Sequence, residues 1–115
     1  MLISKSTLTI KKSKFIGYLY KIENEEQIQT ILKEIQKENK KARHICLAYR
    51  LKSQEKFKND QEVGSPAKIL LKLLQNNNLN THLIIVVRYF GGIKLGQGGV
   101  QRAFKLAALE LFKYK

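Results

Sequence analysis

The sequence predicts a single α+β domain in the order β-β-α-β-α-β-α. Three observations carry that reading: short runs that alternate or concentrate β-branched and aromatic residues, apolar stripes at helical spacing between them, and a glycine-rich break between an unbroken apolar run and the last helix. A chain of 115 residues suits one domain with one modest core. The chain is expected to hold that domain alone over 1–115, with no second domain.

Residues 7–10 (TLTI) alternate as a short strand does, and KFIGYLYKI (14–22) reads as a second strand, with Lys11, Lys12 and Ser13 as the turn. Asn24 can cap the next helix, with Gln27 at the third helical position as in a capping box. Ile28, Ile31, Leu32 and Ile35 then mark a helix over 25–38. Residues 39–43 form a basic loop. HICLAYRL (44–51) is a strand whose alternation puts His44, Cys46, Ala48 and Arg50 on one face. Residues 52–65 are polar and aperiodic and read as the longest loop. Ser65 and Pro66 open a second helix with Ile69, Leu70, Leu73 and Leu74 as its buried stripe. LIIVV (83–87) is an unbroken apolar strand, so both its faces should be covered. Val100, Ala103, Phe104, Ala107, Ala108 and Leu111 repeat at helical spacing to the end. The helices are expected on one face of a small sheet. Phe15, Tyr18, Tyr20 and Tyr49 are then core, or base-stacking residues if that face is open.

The formal net charge of +13 favours a polyanionic partner: RNA, DNA, the ribosome or a membrane surface. Of the 22 basic residues only Arg43, Arg50, Arg88 and Arg102 are arginine; the lysine excess equally suits general composition bias. No run is long and apolar enough to span a membrane, the start lacks a signal-peptide pattern, and a cytoplasmic, non-membrane protein is expected. Cys46 is the only cysteine, which excludes an internal disulfide and a multi-cysteine zinc site.

The segment RYFGGIKLGQGGVQRAF (88–104) holds every glycine except Gly17 and Gly64. Such a turn between a strand end and a helix start gathers backbone N–H groups where the helix dipole is positive, which suits an anion. Arg88, Lys94 and Arg102 frame it. The P-loop pattern is absent, since Gly96 is followed by Gln97 and Gly98, and a dinucleotide fingerprint would need glycine where Gln101 stands. Architecture alone, with the glycines folding the loop back on the sheet, is the competing reading. His44 and Cys46 could form a nucleophile pair, but a buried thiol and a backbone-bonded histidine account for them more simply. Asp60 and Glu62 read as loop solvation or a salt bridge, rather than a metal site.

The segment closely resembles the signature of the IMPACT family, which includes YigZ-like and YIH-like proteins: RYFGG-x-KLG-x-GG-x-x-RA, matched by Arg88–Gly92, Lys94–Gly96, Gly98–Gly99 and Arg102–Ala103. KKSKFIG (11–17) and ARHICLAYRL (42–51) are similar to two further family elements, the second placing His44, Ala48, Tyr49 and Arg50. NDQEVGSPAKILL departs from the family loop: Gln61 replaces a glycine and Val63 a proline. The resemblance implies the family's N-terminal domain and a two-layer fold similar to domain 2 of ribosomal protein S5. It also implies a link to regulation of translation, which eukaryotic members exert through regions beyond this domain.

The site expected from the sequence therefore binds phosphate or nucleic acid through Arg88, Lys94, Gly96, Gly98, Gly99 and Arg102, extended by His44, Arg50, Lys12 and Lys14. No catalytic residue, cofactor or metal is assigned. The expected function is a non-enzymatic RNA- or ribosome-binding domain. A protein-interaction module in translational control, or an enzyme acting on a phosphorylated small molecule, are the alternatives.

Overall fold

The computed structural model describes residues 1–113. It contains β1 (Leu2–Ile10), β2 (Ser13–Lys21), α1 (Glu25–Glu38), β3 (His44–Leu51), β4 (Gln54–Lys58), α2 (Pro66–Asn76), β5 (His82–Tyr89) and α3 (Gly96–Glu110). The five strands form one antiparallel sheet in the order β1-β2-β5-β3-β4. The α+β class and every element expected from the sequence are present.

Three features differ from expectation. Residues 54–58, read as loop, form β4, paired to β3 from Leu51↔Gln54 to Leu47↔Lys58. All five of its residues are exposed, so the strand buries no face and leaves no alternation to read. Its charged residues Glu55, Lys56 and Lys58 suit an edge strand, where charge discourages pairing with another chain. Secondly, β1 begins at Leu2. Its early inward positions are Ser4 and Ser6, whose hydroxyls donate to the carbonyls of Leu111 and Ala107, each at 2.7 Å. Polar side chains bonded to a helix backbone thus occupy a face that alternation would mark as apolar.

The third difference is the placing of the helices. β5 sends Ile84 and Val86 into a core with Ala67, Leu70 and Leu74 of α2 and Val100, Ala103 and Phe104 of α3. Leu83, Ile85 and Val87 point the other way, into a second cluster with Ile28 and Ile35 of α1. Only α2 and α3 share a face; α1 covers the reverse. This explains the unbroken apolar run of β5, since a central strand covered on both sides has no solvent face. It also settles the aromatics: Phe15, Tyr18 and Tyr49 are buried, and Phe15 meets Phe104 edge-on at 5.4 Å.

Local signals explain the joints. Lys11 and Lys12 adopt φ of 46° and 68°, the two positive values that a type I′ hairpin turn requires. Asn24 caps α1 by accepting from the Gln27 amide at 2.9 Å, and the Gln27 side chain accepts from Glu23 N–H. α2 has Pro66 at its first position, but Ser65 makes no side-chain cap. The Ala67 amide instead donates to Oδ1 of Asn59 at 2.8 Å.

Candidate anion-binding site

The site forms where the ends of β3 and β5 meet the start of α3. In the β3–β5 ladder His44 lies opposite Arg88, and both side chains share the α2/α3 face because they keep the parity of Cys46 and Val86. The loop after β4 closes over them. Asp60 and Gln61 sit at φ of 51° and 60°, which turns this loop back onto β3. There Asp60 Oδ2 accepts from the Ile45 amide at 2.7 Å, and its carbonyl lies 2.7 Å from His44 Nδ1. The thiol of Cys46 donates to the Asn59 carbonyl. Burial, with Glu62 and Asp60 nearby, pushes that thiol far above its ordinary pKa, so it stays protonated and unreactive.

This loop delivers Glu62 to Arg88. Arg88 is only 7% exposed and Glu62 5%, and Nη1 of Arg88 donates to both carboxylate oxygens at 2.8 Å. A buried carboxylate is costly without such a partner. Among the described residues Nε of Arg88 is buried without a hydrogen-bond partner. His44 Nε2 faces Glu62 Oε1 at 3.7 Å. Of the two roles the sequence left open for Glu62, the salt bridge is the one it plays.

The glycine segment supplies the opposite wall. A side chain at Gly91 would lie 2.0 Å from the Lys12 carbonyl oxygen, so only glycine lets this segment pass the β1–β2 turn. Gly96 enters α3 at φ 73°. No side chain caps α3 and no acid lies in its first turn, so the orphan N–H groups and the positive end of the dipole are left for another partner. The start of α3 borders a pocket of about 270 Å³ through Leu95, Gly96 and Gln97. Arg88, Glu62 and His44 line one side; Lys94, Gly96 and Gln97 line the other. Val63, Leu95 and Val100 add apolar wall, and Arg43 and Phe90 complete the lining. Arg43 lies over the Phe90 ring, 5.1 Å from its centroid. Three cations thus surround one carboxylate, and that carboxylate is already paired.

Of the residues singled out in the sequence, Arg88, Lys94, Gly96 and His44 meet in this pocket. Gly98 and Gly99 lie on the adjoining first turn of α3 and Arg102 on its second, from which its side chain folds back to within 3.3 Å of the Gly98 Cβ position; they do not line the pocket. Lys12 is exposed on the hairpin turn against Gly91. Lys14 lies on the α1 face, its ammonium 5.0 Å from the Tyr89 ring centroid. Arg50 is at the far end of β3, roughly 20 Å along the strand from His44, and pairs with Glu55 at 2.8 Å. Lys14 and Arg50 therefore do not extend the pocket. Sequence reasoning missed Arg43 and the full role of Glu62. Arg43 directly precedes His44, and its amide donates to the Arg88 carbonyl at 2.8 Å, a ladder contact that only strand pairing reveals. Among the described residues no three His, Cys, Asp or Glu side chains gather as metal ligands, and no helix is long and apolar enough to cross a membrane.

A family model described as the Impact N-terminal domain matches residues 11–112. The chain is 34% identical over 101 residues to the IMPACT family member YvyE of Bacillus subtilis, covering 84% of this chain and 46% of YvyE. It is 40% identical over 101 residues to an IMPACT family member of Haemophilus influenzae, covering 83% and 49% of the two chains. One crystal structure, described as that of a hypothetical protein, superposes with a TM-score of 0.87 at 29% identity, over 98% of this chain and 59% of the other. The two-domain translational regulator Yih1 shares the fold with a TM-score of 0.58 at 20% identity, over 96% of this chain and 45% of Yih1. The chain spans about half the length of the curated relatives it matches. From the 88–104 signature through to the family model, the chain belongs to the IMPACT family, as a match to its N-terminal domain.

Proposed function

We propose that the chain is a non-enzymatic RNA- or ribosome-binding domain linked to regulation of translation, and that it holds phosphate at the start of α3. The observation that carries this reading is an uncapped helix start opening into a pocket with Arg43, Arg88 and Lys94 around it, on a chain with a net charge of +13. Phosphate accepts hydrogen bonds from orphan helix amides and from cationic side chains alike. The fold shared with a protein described as a translational regulator supports the wider role.

The phosphate contact within this role differs from the one read in the sequence. Arg88 acts as the charged floor, tied to Glu62, while Arg43 and Lys94 are the cations with exposed side chains. The test is binding to structured RNA and to ribosomes over a salt series. Arg43→Ala/Lys94→Ala should weaken binding and reduce the slope of log affinity against log salt by roughly one unit per lost contact. Unchanged affinity and slope in that double variant would remove phosphate from this pocket.

A protein-interaction module in translational control is the second reading. Leu106 and Leu109 favour it: they stand 49% and 38% exposed on the outer side of α3. A partner that stays attached after nuclease treatment, and is released by Leu106→Glu/Leu109→Glu, would establish it in place of RNA binding.

A further inference from the structure

The pocket is shaped for more than a passing stretch of nucleic-acid backbone. Its floor is the Arg88–Glu62 pair, and its walls come from two separate segments, Val63 on one side and Leu95 with Val100 on the other. The volume of about 270 Å³ lies near the lower end of the roughly 300–1,000 Å³ that small-molecule sites occupy. That is room for one small phosphorylated unit and too little for a folded strand.

The donors also exceed what a phosphodiester can use. An internal phosphate brings one charge and two free oxygens. The pocket is lined by the uncapped start of α3, by Lys94 and by Arg43 and Arg88. Arg88 is the independent sign that something is meant to arrive. Among the described residues its hydrogen bonds run from Nη1 to Glu62, Nε is buried without a partner, and the residue lines the pocket. A buried guanidinium left partly unsatisfied is costly unless a ligand completes it. A phosphomonoester, with about −1.5 to −2 charges and three acceptor oxygens, matches this surplus. The remaining lining suits what such a group is attached to. Phe90 is 40% exposed, with the Arg43 and Arg88 guanidiniums 5.1 Å and 5.9 Å from its ring centroid, and aromatic rings and guanidinium planes are the surfaces on which nucleobases stack.

We propose that the pocket takes a terminal nucleotide carrying a phosphomonoester, the phosphorylated end of an RNA strand, with the phosphate at the start of α3 and the base against Phe90 and Arg43. This rests on the RNA-binding reading and narrows it from backbone to end.

The experiment compares one short single-stranded RNA in three forms, with a 5′-phosphate, with a 3′-phosphate and with both ends hydroxyl, by fluorescence anisotropy at fixed ionic strength. A fluorophore placed internally leaves both ends free. At least one phosphorylated form should bind about tenfold or more tightly than the hydroxyl form, the worth of one or two charge-assisted hydrogen bonds. A nucleoside monophosphate should compete at concentrations where inorganic phosphate does not, since only the former has a base to stack. Lys94→Ala should cost the phosphorylated strand more than the hydroxyl one. Equal affinity for all three forms overturns this inference while leaving backbone binding intact. Failure to bind any form overturns both, and equal competition by inorganic phosphate removes the base from the site.

Discussion

Two helices start on the same face of the sheet, and they are finished in opposite ways. α2 begins with buried Pro66 and Ala67, and the Ala67 amide is answered by the Asn59 side chain from the loop that leads into the helix. α3 begins with a run of glycines, has no side-chain cap, and opens into the cationic pocket. The same loop serves both: Asn59 closes α2, and three residues later Glu62 anchors the floor in front of α3. A helix start sealed by its own chain contributes stability. One left open is where the proposed anion contact belongs, and the contrast sets a closed helix start beside an open one in one small domain.

The largest test of this contrast removes the shared anchor. Arg88→Ala leaves the Glu62 carboxylate buried without its partner, which should cost about 3–5 kcal/mol, read as a shift in urea midpoint. Replacing both residues by apolar ones of similar size should restore most of that loss, because a buried ion pair and a packed apolar pair are often near-equal in energy. If the single and double variants lose the same amount, the pair does not hold the loop.

A smaller effect isolates α2. Asn59→Ala removes the one side-chain acceptor at that helix start and should cost about 1 kcal/mol, within the usual range for a lost cap. The Asn59 carbonyl contacts to Glu62 and Cys46 are backbone and survive, so RNA affinity should change little. A large fall in binding with intact stability would show that the two helix starts are not independent.

How much of this was legible from the residues follows from what each one faces. α1 and β3 have the bounds read from the sequence because Ile28 and Ile35 bury one face of the helix, and β3 buries Cys46 and Ala48 on one side and Leu47, Tyr49 and Leu51 on the other. β4 was invisible because none of its residues is buried, and the first half of β1 because Ser4 and Ser6 point inward to bond α3. Periodicity marks which residues of α1 are buried but not against which side of the sheet. In the pocket, Arg88 and Lys94 stood out through the glycine segment. The Glu62 partnership spans 26 residues of sequence and depends on a positive-φ turn at Asp60 and Gln61, residue types that tolerate such a turn without announcing it. The sequence cap for α2 was assigned to Ser65 by position, whereas Asn59 reaches it through space.

The finest test makes α3 resemble a closed helix start. Gln97→Glu places a carboxylate in the first turn of α3, where the dipole favours negative charge and no acid now stands. Stability should rise by about 0.3–1 kcal/mol at low salt. Affinity for phosphate-bearing RNA should fall, because the new carboxylate competes for the same amides and adds repulsion at the pocket that Gln97 lines. Opposite signs in the two measurements are what distinguishes an open site from a helix that merely lacks a good cap. If stability rises and binding is unaffected, the amides of α3 face water and nothing else. If both fall together, Gln97 is a packing residue and the difference between the two helix starts is one of architecture.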